Sequence, residues 1–147
     1  MCTTERENTQ NGGKRDDEKM ARQIAEAKKQ TIGVEIEMNG ITRSKAAKVA
    51  AEFFGTGRYK DTAARNGYCT WSAWDADGRE WKFQRDVSIA GPDSEKCELV
   101  TPVLTYGDME LLQELVRQLR HAGGVSHAGV GAGVHYASSR VIRKIYA

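Results

Sequence analysis

The stretch Thr31-Ile-Gly-Val-Glu-Ile-Glu-Met38 constrains the fold of this chain most. Apolar and polar residues alternate along it, which is the period of a half-buried strand. Val34, Ile36 and Met38 share one face, and Glu35 and Glu37 share the other. Asn39-Gly40 then signals a turn, and Thr42 can cap a helix. The apolar residues of that helix fall at Ala46, Val49, Ala50, Phe53 and Phe54, one helical face, and Gly55 stands where a terminating glycine belongs.

The chain around this start divides into an extension and a fold. Residues 1–30 hold seven hydrophobic, seven basic and six acidic residues. Residues 1–13 read as a disordered lead-in that cannot bury enough apolar surface to offset ordering, and 14–30 as a solvated helix. The fold is expected over 31–147. Segments 68–74 and 80–88 flank the turn-rich Asp75-Ala-Asp-Gly-Arg79 and read as a hairpin, with Trp81 and Phe83 opposite Lys82, Gln84 and Asp86. A short strand is expected over 98–103, with Pro102 near its end. Asp108 is expected to cap an amphipathic helix with Leu111, Leu112, Leu115 and Leu119 on one face, ended by Gly123. Glycine-rich chain leads to a strand at Val134-His-Tyr136. Ser138 or Ser139 is then expected to cap a last helix carrying Val141, Ile142, Ile145 and Tyr146. Hairpin pairing mixed with helices predicts an α+β fold: an antiparallel or mixed sheet with helices on one face.

Composition removes several classes. With 147 residues, 39% hydrophobic and 29% charged, the chain suits one globular domain. No apolar run approaches the roughly 20 residues of a membrane helix, and the N-terminus lacks a signal-peptide core. The net charge of +2 demands neither nucleic acid nor an anionic membrane. Cys2, Cys69 and Cys97 are odd in number and far apart, which argues against a disulfide framework or a structural zinc. A reduced, cytoplasmic protein is expected.

Several polar residues can carry chemistry. Glu35 and Glu37, two apart on a strand, lie on one face. Like charges so placed resist joint ionisation unless a cation joins them, and Mg²⁺ accepts such oxygens. Alone, the pair reads more readily as an ordinary solvent-facing strand face. Lys82 and Asp86 fall on one strand face, where a lysine suits a phosphate; paired charges on a hairpin are the plainer reading. Glu98 faces away from Leu99, and His135 adds a nitrogen. Brought into one sheet, Glu35, Glu37, Lys82, Asp86, Glu98 and His135 would converge on one surface, with the helices covering the other.

Three motifs in this set resemble the amidoligase family, carboxylate–amine ligases related to glutamine synthetase and glutamate–cysteine ligase. They are Gly33-Val-Glu-Ile-Glu37, Trp81-Lys-Phe-Gln-Arg-Asp-Val-Ser88 and Glu98-Leu-Val-Thr-Pro102. The resemblance covers residues 31 to about 140. It implies a glutamine synthetase-like half-barrel and an ATP- and Mg²⁺-dependent reaction. ATP would phosphorylate a substrate carboxylate, and an amine would attack the acyl phosphate to form an amide. By the resemblance, Glu35, Glu37, Glu98 and His135 are the expected metal ligands. Lys82, Glu98 and His135 would contact the cofactor, and Lys82, Asp86 and Ser88 form the expected catalytic set. Small-molecule or peptide carboxylates and amines are the implied partners. Two features depart from the family. Its usual His-x-His pair reads Gly-Val-His here, with Gly133 in the first place. Members are also longer, so the chain is expected to be the N-terminal part of such an enzyme.

Two other readings stand beside the ligase. One is a non-catalytic remnant or binding module on the same fold, which Gly133 favours. The other is a nucleic-acid-binding surface, with Tyr68, Trp71, Trp74 and Trp81 among Arg58, Lys60, Arg65 and Arg79. Balanced acidic residues, and tryptophans better suited to a hairpin core, disfavour the second.

Overall fold

The alternation at 31–38 forms a strand, β1 (Gly33–Met38), with Val34 and Met38 buried and Glu35 and Glu37 half-buried. The computed structural model describes residues 10–63, 67–125, 132–138 and 141–146. A helix, α1 (Gln10–Lys28), precedes β1. From Gly13 onward it is exposed throughout, the expected solvated helix, with the Lys28 ammonium over the Tyr106 ring. The expected lead-in over 1–13 falls mostly outside the described residues.

After β1 comes α2 (Arg43–Phe53), and the Thr42 hydroxyl accepts the Lys45 amide at its start as the sequence predicts. Gly55, at φ +75°, takes the left-handed conformation that ends a helix cheaply. Ala46, Ala47, Ala50 and Ala51 are fully buried, and these small side chains let the helix lie close on the sheet. There it meets β2 (Tyr59–Asp61), β3 (Trp71–Trp74) and β4 (Glu80–Gln84). The Phe54 ring packs 5.1 Å from Trp81. Strand β5 (Cys97–Val100) and helix α3 (Met109–His121) follow, then β6 (Ala132–Ser138) and β7 (Val141–Tyr146).

The seven strands form one sheet in the order β2-β3-β4-β5-β1-β6-β7, and every pairing is antiparallel. Register sorts the two faces. Ile36, Leu99, Phe83 and Trp71 form one row across β1, β5, β4 and β3. This apolar face carries α2, and Leu112, Leu115 and Leu119 of α3 join the same core. On the opposite face Glu37, Glu98 and Gln84 form one row, and Glu35, Val100, Lys82 and Ser72 the next.

The glycine at the β1 turn is held by a close approach. Asn39 and Val125 exchange backbone hydrogen bonds, which brings the chain after α3 against the turn. A Cβ on Gly40 would lie 2.5 Å from the Gly123 carbonyl oxygen, and φ there is +78°.

Three expectations need correction. The segment 141–146 is a strand and not the expected last helix. Val141, Ile142 and Ile145 are β-branched, which disfavours a helix and suits a pleated strand. Only two residues separate β7 from β6, so an antiparallel hairpin can close there. Second, Asp108 holds the N-cap position of α3 as expected but makes no side-chain capping bond to that helix; its carboxylate binds the Thr105 amide and hydroxyl and the Arg79 guanidinium. Third, the outer hairpin strands are shorter than 68–74 and 80–88, and β2 adds an edge strand that the sequence does not announce.

The turn of that hairpin is built on Asp75. Its buried carboxylate accepts from the Asp77 and Arg79 amides, Arg79 Nε and Trp81 Nε1, all at 2.8–3.0 Å. Arg79 reaches on to Asp108 with two hydrogen bonds, which ties the hairpin to the start of α3.

Candidate functional site

On the face opposite α2 and α3, three carboxylates converge. Glu37, Asp86 and Glu98 each offer an oxygen, and these atoms lie within 4.8 Å of one another. Pairing puts Glu37 directly across from Glu98. Asp86 arrives differently. It lies beyond the end of β4 in a turn, and not on a regular strand face as the sequence predicts. The Ser88 amide and hydroxyl donate to Asp86 Oδ1 at 2.9 and 2.7 Å, which fixes the carboxylate locally.

The loop after Asp86 is held from three sides. The Asn39 amide donates to the Ala90 carbonyl at 3.0 Å, and Lys96 Nζ to the Val87 carbonyl at 3.2 Å. Arg43 Nη1 donates to the Asp93 and Lys96 carbonyls at 3.0 and 2.7 Å. These contacts join the loop to the end of β1 and the start of α2.

Electrostatics mark the cluster. Burial pushes the Glu98 carboxyl up to about 7, the charges of Glu35 and Asp86 add to that, and the hydrogen bond from Gln84 Nε2 opposes it. Glu98 is only 8% exposed, so water does little to relieve this crowding. Burial also pushes Asp86 up, but the bonds from Ser88, with those to Glu98 and Glu37, outweigh it and leave the carboxyl below its ordinary value. Acidic groups packed this way are stabilised by a shared proton or a shared cation. Oxygen donors alone suit a hard divalent ion such as Mg²⁺. The donor set therefore fits the metal that the sequence implies.

The remaining predicted residues distribute around this centre. Glu35 stands one row away on the same face, across from Val100, and is outside the group of three. Lys82 pairs with Val100 from the other side and is exposed, with no ion pair to another described residue. His135 is across from Gly33 on β6, and Gly133 is across from Glu35. The glycine at that register position offers no donor beside the carboxylate. Gln84, which completes the row with Glu98 and Glu37, was not singled out from the sequence. Its signal was available in the alternation of β4, which puts it on the same face as Lys82.

Among the described residues, Cys97, Trp81 and Arg79 supply no further chemistry to this site. Burial pushes the Cys97 thiol up to about 12, so it stays protonated at neutral pH and is a poor nucleophile. Trp81 is fully buried, with its indole N–H on Asp75, and so cannot stack on a base. Arg79 is committed to Asp75 and Asp108. Arg65 of the same proposed surface lies outside the described residues. Among the described residues, no helix is long and apolar enough to cross a membrane.

The protein is thus an α+β domain with helices on one sheet face and a carboxylate cluster, flanked by a lysine, on the other. A family model described as "Putative amidoligase enzyme" matches residues 28–142, more than three quarters of the chain. The chain belongs to the amidoligase family. No curated protein and no solved structure matches it.

Proposed function

We propose that the chain serves ATP-dependent carboxylate–amine ligation, with Glu37, Asp86 and Glu98 as the ligands of a Mg²⁺ ion. The convergence of these three carboxylates, all on motif residues inside the family match, carries the reading. The antiparallel sheet with helices on one face supports the expected glutamine synthetase-like half-barrel. The chemistry activates a small-molecule or peptide carboxylate as its acyl phosphate, and an amine displaces phosphate to form the amide. Mg²⁺ supplies charge neutralisation at the phosphate oxygens. Glu37 and Glu98 hold the ion from neighbouring strands, and Asp86 closes the set from the loop. Glu35, one row away, adds negative charge that favours a cation. Lys82 provides a positive charge for a phosphate oxygen two strands from β1. His135, on the strand beside β1 and across from Gly33, is the further ligand that the family resemblance implies.

The test is calorimetric. ATP is titrated into the protein with Mg²⁺ and with a chelator in its place. Binding is expected only with Mg²⁺, and Glu37→Gln is expected to weaken it about tenfold or more. Equal binding with and without the metal, or by the wild type and a folded Glu37→Gln protein, would overturn the assignment.

A further inference from the structure

Glu98 and Asp86 each have one oxygen held by a donor from outside the cluster. Gln84 Nε2 donates to Glu98 Oε1 at 3.1 Å, from the strand position directly across. Ser88 donates twice to Asp86 Oδ1. To grip a cation with both oxygens, either carboxylate would have to give up or share these bonds. Resting on the Mg²⁺ reading above, we propose that Gln84 and Ser88 restrict Glu98 and Asp86 to one-oxygen coordination. They thereby set the site's preference for Mg²⁺ over Ca²⁺.

The argument is geometric. Mg²⁺ demands a near-ideal octahedron at about 2.0–2.1 Å and takes carboxylates through single oxygens, whereas Ca²⁺ accepts six to eight oxygens at about 2.3–2.6 Å and is often gripped by both oxygens of one carboxylate. The two oxygens of a carboxylate subtend too narrow an angle at a metal to fill two octahedral positions well. A donor fixed on one oxygen therefore costs Mg²⁺ little and deprives Ca²⁺ of a ligand. Position 84 also shows why an amide is suited to the task. Glutamate at that place would set a further like charge directly across from Glu98, whereas glutamine donates a hydrogen and adds no charge. Both residues act through the ligands and are positioning residues.

The experiment compares Mg²⁺ and Ca²⁺ affinities of the full chain by calorimetry in wild type, Gln84→Met and Ser88→Ala. Methionine keeps the length of the side chain and removes the donor. Ser88 is exposed in its turn, so Ser88→Ala gives a second reading should Gln84→Met fail to fold. The expected result is a shift of the Mg²⁺-to-Ca²⁺ affinity ratio toward Ca²⁺ by about fivefold or more in Gln84→Met, and a smaller shift in the same direction in Ser88→Ala, where the amide of residue 88 still donates to Asp86 Oδ1. A purely structural role would weaken both metals together and leave the ratio unchanged, and that outcome overturns the inference. Wild-type protein that binds Mg²⁺, with an unmoved ratio in the variants, overturns this inference alone. Wild-type protein that binds neither ion overturns the Mg²⁺ site with it.

Discussion

Asp75→Ala is expected to cost about 3–5 kcal/mol of folding stability, a large share of what a single domain has. The Asp75 carboxylate is 4% exposed and takes four donors, two of them backbone amides. Removing it leaves the indole N–H of fully buried Trp81 without its acceptor and strips Arg79 of one of its two principal carboxylates. Each loss carries a desolvation cost beyond the bond itself. Trp81→Phe keeps the Asp75–Arg79 pair and most of the packing, so a loss of about 1–2 kcal/mol is expected. Urea unfolding followed by far-ultraviolet circular dichroism measures both. Equal, small losses in the two variants would show that Asp75 does not organise the hairpin.

Glu98→Gln is expected to move stability and metal binding in opposite directions. The folded Glu98 carboxyl titrates near 7 against an ordinary value of 4.5. The folded state therefore holds this proton more tightly than the unfolded state. Its contribution is complete below pH 4.5 and is lost as pH rises through 7. The full shift corresponds to about 3 kcal/mol. Glutamine removes that loss and can still accept from Gln84. Metal-free Glu98→Gln protein should thus be more stable than wild type at pH 8, by about 5 °C or more in Tm, and nearly equal to it at pH 4. Added Mg²⁺ should raise the wild-type Tm at pH 8 and leave the variant unmoved. Wild type and variant with the same pH profile would contradict the crowding of Glu98 by burial and by its acidic neighbours.

Much of the architecture was legible because it rests on local rules. The alternation from Val34 to Met38 fixed both the strand and the side on which Glu35 and Glu37 lie. Thr42, the alanines of α2 and Gly55 announced a capped helix, and the leucines of α3 announced another. The segment 141–146 is ambiguous in sequence because Val141, Ile142, Ile145 and Tyr146 suit the face of a helix as well as a strand. Their pairing with β6 is a tertiary choice that periodicity does not encode. The cluster was only partly legible. Parity along β1 and β5 put Glu37 and Glu98 on one face, but not in one register. Asp86 joins them through a loop held by Asn39, Arg43 and Lys96, and the contacts from Asn39 and Arg43 span about 50 residues of sequence. The burial of Glu98 was equally invisible, because its neighbours come from other strands.

The central claim is that one divalent cation sits among Glu37, Asp86 and Glu98. Sub-stoichiometric Mn²⁺ added to isotope-labelled protein tests this directly, since a paramagnetic ion erases the amide signals nearest to it. The account predicts that the signals of Glu37, Glu98 and residues 85–88 vanish first, that excess Mg²⁺ restores them, and that Glu98→Gln largely abolishes the effect. Broadening centred elsewhere, for example on exposed Asp77, or unchanged in Glu98→Gln, would contradict it.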